Sequence, residues 1–161
     1  MAWWPVAVGS LALQLVLHNP PIDRQPWAIR FGPLIWVACL FALFGVLVRN
    51  AWLARNDRPA WLIAAVGVGL NLLVVTANAG YMPQSAEARQ AVHGAVAAPN
   101  ADQKLRNVLP ITDSTRMSVL GDVIPEPAWL PNANVISIGD IVLGLGLACW
   151  AYVVTRRRRA S

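Results

Sequence analysis

Residues 61–79 read WLIAAVGVGLNLLVVTANA, nineteen positions without a charge, and are followed by Gly80, Tyr81, Met82 and Pro83. An α-helix rises 1.5 Å per residue, so this stretch covers about 28 Å, close to the hydrocarbon thickness of a bilayer. Blocks at residues 31–48, closing at Arg49 and Asn50, and 135–154, followed by Arg156, Arg157, Arg158 and Arg159, have the same character. An earlier block, 3–17, is shorter and stops at His18, Asn19, Pro20 and Pro21, where paired prolines end a helix. It is read as a retained first helix rather than a signal peptide. No basic segment precedes it, and no small-x-small cleavage site precedes the prolines.

The bulk composition agrees. Across 161 residues, 57% are hydrophobic and only 13% charged, and mean hydropathy is +0.49. A soluble domain carries about 25% charged residues. The expected fold class is therefore an all-α membrane protein of four transmembrane helices, with one long extracytoplasmic loop, 81–134, between helices three and four. The chain reads as a single membrane domain over 1–161.

Arginine placement predicts the orientation. The tetra-arginine tail, Arg49, Arg55 and Arg58 mark one side, whereas the first short loop carries only Arg24 and Arg30, with Asp23. The positive-inside rule then puts both termini in the cytoplasm, in a bacterial inner membrane. Tryptophans fit: Trp3, Trp4, Trp52, Trp61 and Trp150 fall near the inner boundary, Trp27 and Trp129 near the outer one. Net charge is +5, but it is gathered at helix ends and not on one face with aromatics, which excludes a nucleic-acid platform. The expected partners are the lipid bilayer and other membrane protein subunits.

In the long loop, Ser85 is placed to cap a helix running through Ala97, with Glu87 in its first turn. The later part, with Pro110, Pro125, Pro127 and Pro131, is expected to run as ordered loop against the helices. Gly67 with Gly69, and Gly144 with Gly146, offer small faces for helix packing. Cys39 and Cys149 lie in apolar blocks with no ligand spacing and read as small hydrophobes. His18 and His93 read as solvated residues. No metal or cofactor is expected.

Polar groups in the apolar helices are the candidate site. Asn71 and Asn78 lie two turns apart on one face of helix three. Asp140, with Ser137, lies early in helix four, and Asp122 in the loop upstream. Asn78, Asp122 and Asp140 are expected at one depth, with Gln14 of helix one able to join them. Two readings compete. Asp122 and Asp140 form a catalytic carboxylate pair that shares a proton and activates water, or Asp140 anchors its helix while Asn71, Asn78 and Ser137 bind across helices.

Two stretches carry a resemblance. Asn71-Leu72-Leu73 leads to Ala77-Asn78-Ala79-Gly80-Tyr81-Met82-Pro83. Further on, Leu120-Gly121-Asp122-Val123-Ile124-Pro125 precedes Val135-Ile136-Ser137-Ile138-Gly139-Asp140-Ile141-Val142-Leu143. In this order the motifs AN-G-MP, GD-IP and SIGD resemble a family of small bacterial multi-pass membrane proteins, a 5317-type domain of unknown function. The resemblance lies in the second half of the chain, the first half matching in hydropathy alone. Relatives often carry a further hydrophobic segment ahead of the first one seen here. The spacing of Asp122 and Asp140, with Asn134 and Val135 before the second, is also similar to lipoprotein signal peptidase, a four-helix aspartyl enzyme. That resemblance implies intramembrane peptide hydrolysis by the two aspartates. This chain departs from the enzyme's GN-IDR motif, because Leu70-Asn71-Leu72 runs on into Leu73-Val74-Val75. The leading expectation is a non-enzymatic structural or accessory subunit of a larger membrane assembly. The alternatives are the aspartyl hydrolase and a small transporter component.

Overall fold

A computed structural model describes residues 3–17, 19–94 and 107–160. Its helices are α1 (Trp4–Leu17), α2 (Pro26–Leu53), α3 (Arg58–Ala77), α4 (Ala86–His93) and α5 (Ile138–Ala160). Four short strands, β1 (Met82–Gln84), β2 (Val108–Pro110), β3 (Ile124–Pro125) and β4 (Val135–Ile136), all lie in the α3–α5 connector. The protein is thus mostly helical, and α2, α3 and α5 are long and apolar enough to cross a membrane. At 14 residues, α1 is about 21 Å long, short of a ~30 Å core.

Helix ends depart from the apolar blocks in a consistent way. Hydropathy stops at the first arginine, whereas backbone hydrogen bonding continues through it. So α2 includes Arg30 and Arg49 and opens on Pro26, whose missing N–H costs nothing at that position. α5 runs on through the arginine tail. At the other end α5 starts at Ile138, not 135, because Val135 and Ile136 pair antiparallel with Pro125 and Ile124. α3 ends at Ala77, two residues before the block does.

The helices pack in sequence: α1 on α2, α2 on α3, and α3 on α5, the last seam being the most extensive. The core is one cluster from α2 (Trp36, Leu40, Leu47, Ala51) and α3 (Trp61, Ala64, Val68, Leu72, Val75). In lipid, apolar helices gain no hydrophobic drive from meeting each other, so close approach at small residues decides the seams. Gly67 and Gly146 supply it between α3 and α5. A Cβ on Gly67 would strike the Leu143 backbone, and one on Gly146 the Ala64 backbone. Gly69 instead meets Phe44 of α2, and Gly144 faces open space, so the expected glycine pairs divide between two jobs and none.

The start of α1 and the C-terminal part of α5 lie at the same end of the helices. The Arg49 guanidinium stacks 5.2 Å from the Trp3 ring, and Arg157 pairs with Asp57 at 2.8 Å. Trp61, expected at a lipid interface, is instead 2% exposed, its ring 5.2 Å from Trp150 across the α3–α5 seam. Gln14, expected to join the aspartates, is engaged with α2: its Oε1 accepts from Trp36 Nε1 at 3.0 Å. Cys39 is buried and Cys149 exposed. His18 lies outside the described residues, as does the side chain of His93.

Candidate functional site

The candidate residues gather where the connector meets α3 and α5, and each of the three sequence motifs proves to be a joint. The first closes α3. Asn78 is its last half-helical residue, Ala79 is left-handed at φ 55° and Gly80 at φ 89°. The Gly80 N–H reaches back to Val75 O at 2.9 Å, the six-to-one bond of a Schellman ending. Gly80 also lies against α2, where a Cβ would come within 2.9 Å of Pro33 O. Gly80→Ala is therefore expected to cost about 2–4 kcal/mol from left-handed strain and overpacking together. Ala79→Gly, relieving the same strain without a contact, is expected to gain up to about 1 kcal/mol. Thermal unfolding in detergent reads both, and equal midpoints for the two variants would contradict this turn.

Asn78 uses its side chain to tie the connector down. Its Nδ2 donates to Val74 O and to Arg116 O, both at 2.8 Å, and its Oδ1 accepts from Arg116 N at 3.0 Å. This is a main-chain clamp 38 residues along the chain, so the Asn78 side chain bonds the connector backbone rather than a carboxylate. From it the buried strand β1 runs parallel to β2, with Met82 opposite Val108.

The second motif crosses β1. A Cβ on Gly121 would strike Pro83 O, so only glycine lets Asp122 come close enough to donate its N–H to that carbonyl at 2.7 Å. Ser85 N–H in turn donates to Asp122 O at 2.9 Å. Ser85 Oγ caps α4, accepting from Ala88 N at 3.2 Å. α4 ends at His93 with Gly94 at φ 79°, short of the expected Ala97, which lies outside the described residues.

The third motif starts α5. Ser137 Oγ accepts from Asp140 N at 3.0 Å, while Asp140 Oδ2 accepts from Ser137 N at 2.9 Å. This reciprocal pair is a capping box with aspartate in the usual glutamate place. Asp140 Oδ1 accepts from Asn71 Nδ2 of α3 at 2.7 Å, and Ser137 Oγ lies 2.9 Å from Asn71 Oδ1. Gly139 makes room, because a Cβ there would overlap Asn71 Oδ1. Ser137 is fully buried and Asn71 nearly so. Asn71, Ser137 and Asp140 thus form one network at the top of the α3–α5 seam, with both oxygens of the Asp140 carboxylate bonded.

Asp122 stands next to this network. The β3–β4 register, Ile124 opposite Ile136, brings it beside the first turn of α5. Burial and the Asp140 charge push its carboxyl up to about 7. A pocket of about 520 Å³ opens nearby, between Ser85 and Glu87 on one side and Ser118 and Val119 on the other. Among the described residues no group of three or more His, Cys, Asp or Glu could hold a metal ion. Sequence reasoning missed Gly139, Gly121, Gly80 and the Arg116 backbone. The capping box had a local signal, the S-x-x-D spacing before an apolar run.

These features define a small helical protein with three membrane-length apolar helices and a glycine-and-asparagine joint linking them to a folded connector. The chain belongs to a family of unknown function, DUF5317, whose model matches residues 1–152. The match takes in the N-terminal half as well as the motif-bearing half. No curated protein matches the chain, and no solved structure matches it.

Proposed function

We propose that this chain is a non-enzymatic structural or accessory subunit of a larger assembly in a bacterial inner membrane. It would cross four times, with both termini cytoplasmic and the connector outside. One observation carries the reading. Asp140, the only acid within α1, α2, α3 and α5, has both carboxylate oxygens committed to Asn71 and Ser137. Those bonds hold α5 onto α3 and tie the carboxylate into the helix seam, which favours a packing role for it. The sequential packing α1–α2–α3–α5 leaves faces for neighbours, with only 11% of the α5 apolar window buried against 56% for α3. Affinity purification of the tagged chain from native membranes in mild detergent is expected to retain a further membrane protein at fixed stoichiometry. Recovery as a lone monomer would overturn the subunit reading.

An aspartyl hydrolase is the second reading, favoured by the raised Asp122 carboxyl beside Asp140 and the adjoining pocket. A transporter component has no comparable support, since Asn71, Asn78, Ser137 and Asp140 are engaged with one another or with the connector backbone.

A further inference from the structure

The C-terminal part of α5 presents two faces. Gly139, Leu143, Gly146 and Trp150 form a stripe turned to α3, and Arg157 leans the same way to Asp57. Leu145, Cys149, Tyr152 and Arg156 fall at i, i+4, i+7 and i+11 and share another face, extended one turn on by Arg159. Leu145 and Tyr152 are 57% and 65% exposed, and Cys149, Arg156 and Arg159 are exposed too. At the end of this stripe a notch of about 630 Å³ is lined by Ala151, Tyr152, Thr155, Arg156 and Arg159.

We propose that this notch seats the headgroup phosphate of an anionic phospholipid, with an acyl chain lying along Tyr152, Cys149 and Leu145. The proposal rests on the placement of α5 in a bilayer given above. Charge complementarity selects the occupant: two guanidiniums one turn apart match a phosphate and repel the ammonium of a zwitterionic headgroup. A tyrosine lining the notch, as Tyr152 does, suits the headgroup boundary. Basic residues just beyond an apolar helix are the usual anionic-lipid signature. The apolar stripe favours a lipid over free phosphate. From Leu145 to Arg156 it runs about 16 Å, close to half of a ~30 Å hydrocarbon core and so to one leaflet.

The test is native mass spectrometry of the purified full chain with dioleoylphosphatidylglycerol or dioleoylphosphatidylcholine added at equal concentration. Retention of phosphatidylglycerol over phosphatidylcholine is expected. It should fall roughly tenfold in Arg156→Gln/Arg159→Gln and stay unchanged in Arg24→Gln/Arg30→Gln, which removes the same charge elsewhere. Equal retention of both lipids, equal loss in the two double variants, or full displacement by millimolar inorganic phosphate would each overturn the site. Release of the chain from native membranes by alkaline carbonate would instead overturn the bilayer placement beneath it.

Discussion

Gly139→Ala is expected to destabilise the chain by about 3–5 kcal/mol, and Gly144→Ala, five positions along the same helix, to leave it unchanged or slightly stabler. The Cβ at 139 would occupy the place of Asn71 Oδ1 and approach Gly67 O at 2.8 Å. The side chain of Asn71 must then leave, and with it its bond to Asp140. Overpacking of a tight seam costs about 1–3 kcal/mol, and stranding buried polar partners adds a further ~1–3 kcal/mol. At 144 nothing lies within 4 Å of the added carbon, and alanine is the better helix former by up to about 1 kcal/mol. Thermal unfolding followed by tryptophan emission, which samples the Trp61–Trp150 pair in that seam, compares the two. A drop on the order of 10 °C at Gly139 with none at Gly144 is expected. Equal midpoints would mean that the helices do not approach as described.

That pair of glycines also shows what the sequence carried. Small residues announce that a helix can be approached closely, but not from which side. Of the four glycines with that reading, Gly67 meets the Leu143 backbone and Gly146 the Ala64 backbone across the α3–α5 seam, Gly69 meets Phe44, and Gly144 meets nothing within 4 Å. Apolar length was legible, because lipid demands it of any spanning helix, so α2, α3 and α5 were found and only their ends were misplaced. Local polar geometry was legible too: Ser137 and Asp140 are three residues apart and close a ring that spacing alone suggests. The pairings that close over distance were not. Asn78 finds the Arg116 backbone 38 residues on, and Asn71 finds Asp140 69 residues on, with no periodicity linking either pair. Val135 and Ile136 are β-branched and apolar, so hydropathy merged them with the helix; their strand partner, Ile124–Pro125, bears no local mark. Trp61 packs on Trp150 rather than lying exposed, because an indole near a helix end suits a neighbouring helix as well as a lipid interface.

The other large effect expected is a dependence on pH that a single amide removes. Asp122 titrates near 7 in the folded chain, against about 3.9 when unfolded. Between those values the folded state holds a proton that the unfolded state has released. Stability from this group is therefore full below about pH 4, falls as pH rises towards 7, and is level above that. Raising the carboxyl from about 3.9 to about 7 sets a ceiling of about 4 kcal/mol, and since Asp122 keeps part of its surface in contact with solvent the realised loss is expected on the order of 2–3 kcal/mol. Asp122→Asn keeps the shape and the main-chain bonds to Pro83 and Ser85 but cannot ionise. Unfolding midpoints at pH 5 and pH 8 should differ less for this variant than for the parent, and the variant should be the stabler protein at pH 8. An unchanged pH response would remove Asp122 as the titrating group. The same variant separates the two functional readings. As a joint beside α5, residue 122 tolerates the amide, and assembly with a partner survives at every pH. As half of a water-activating pair it must exchange its proton, so the stabler protein would have lost its activity.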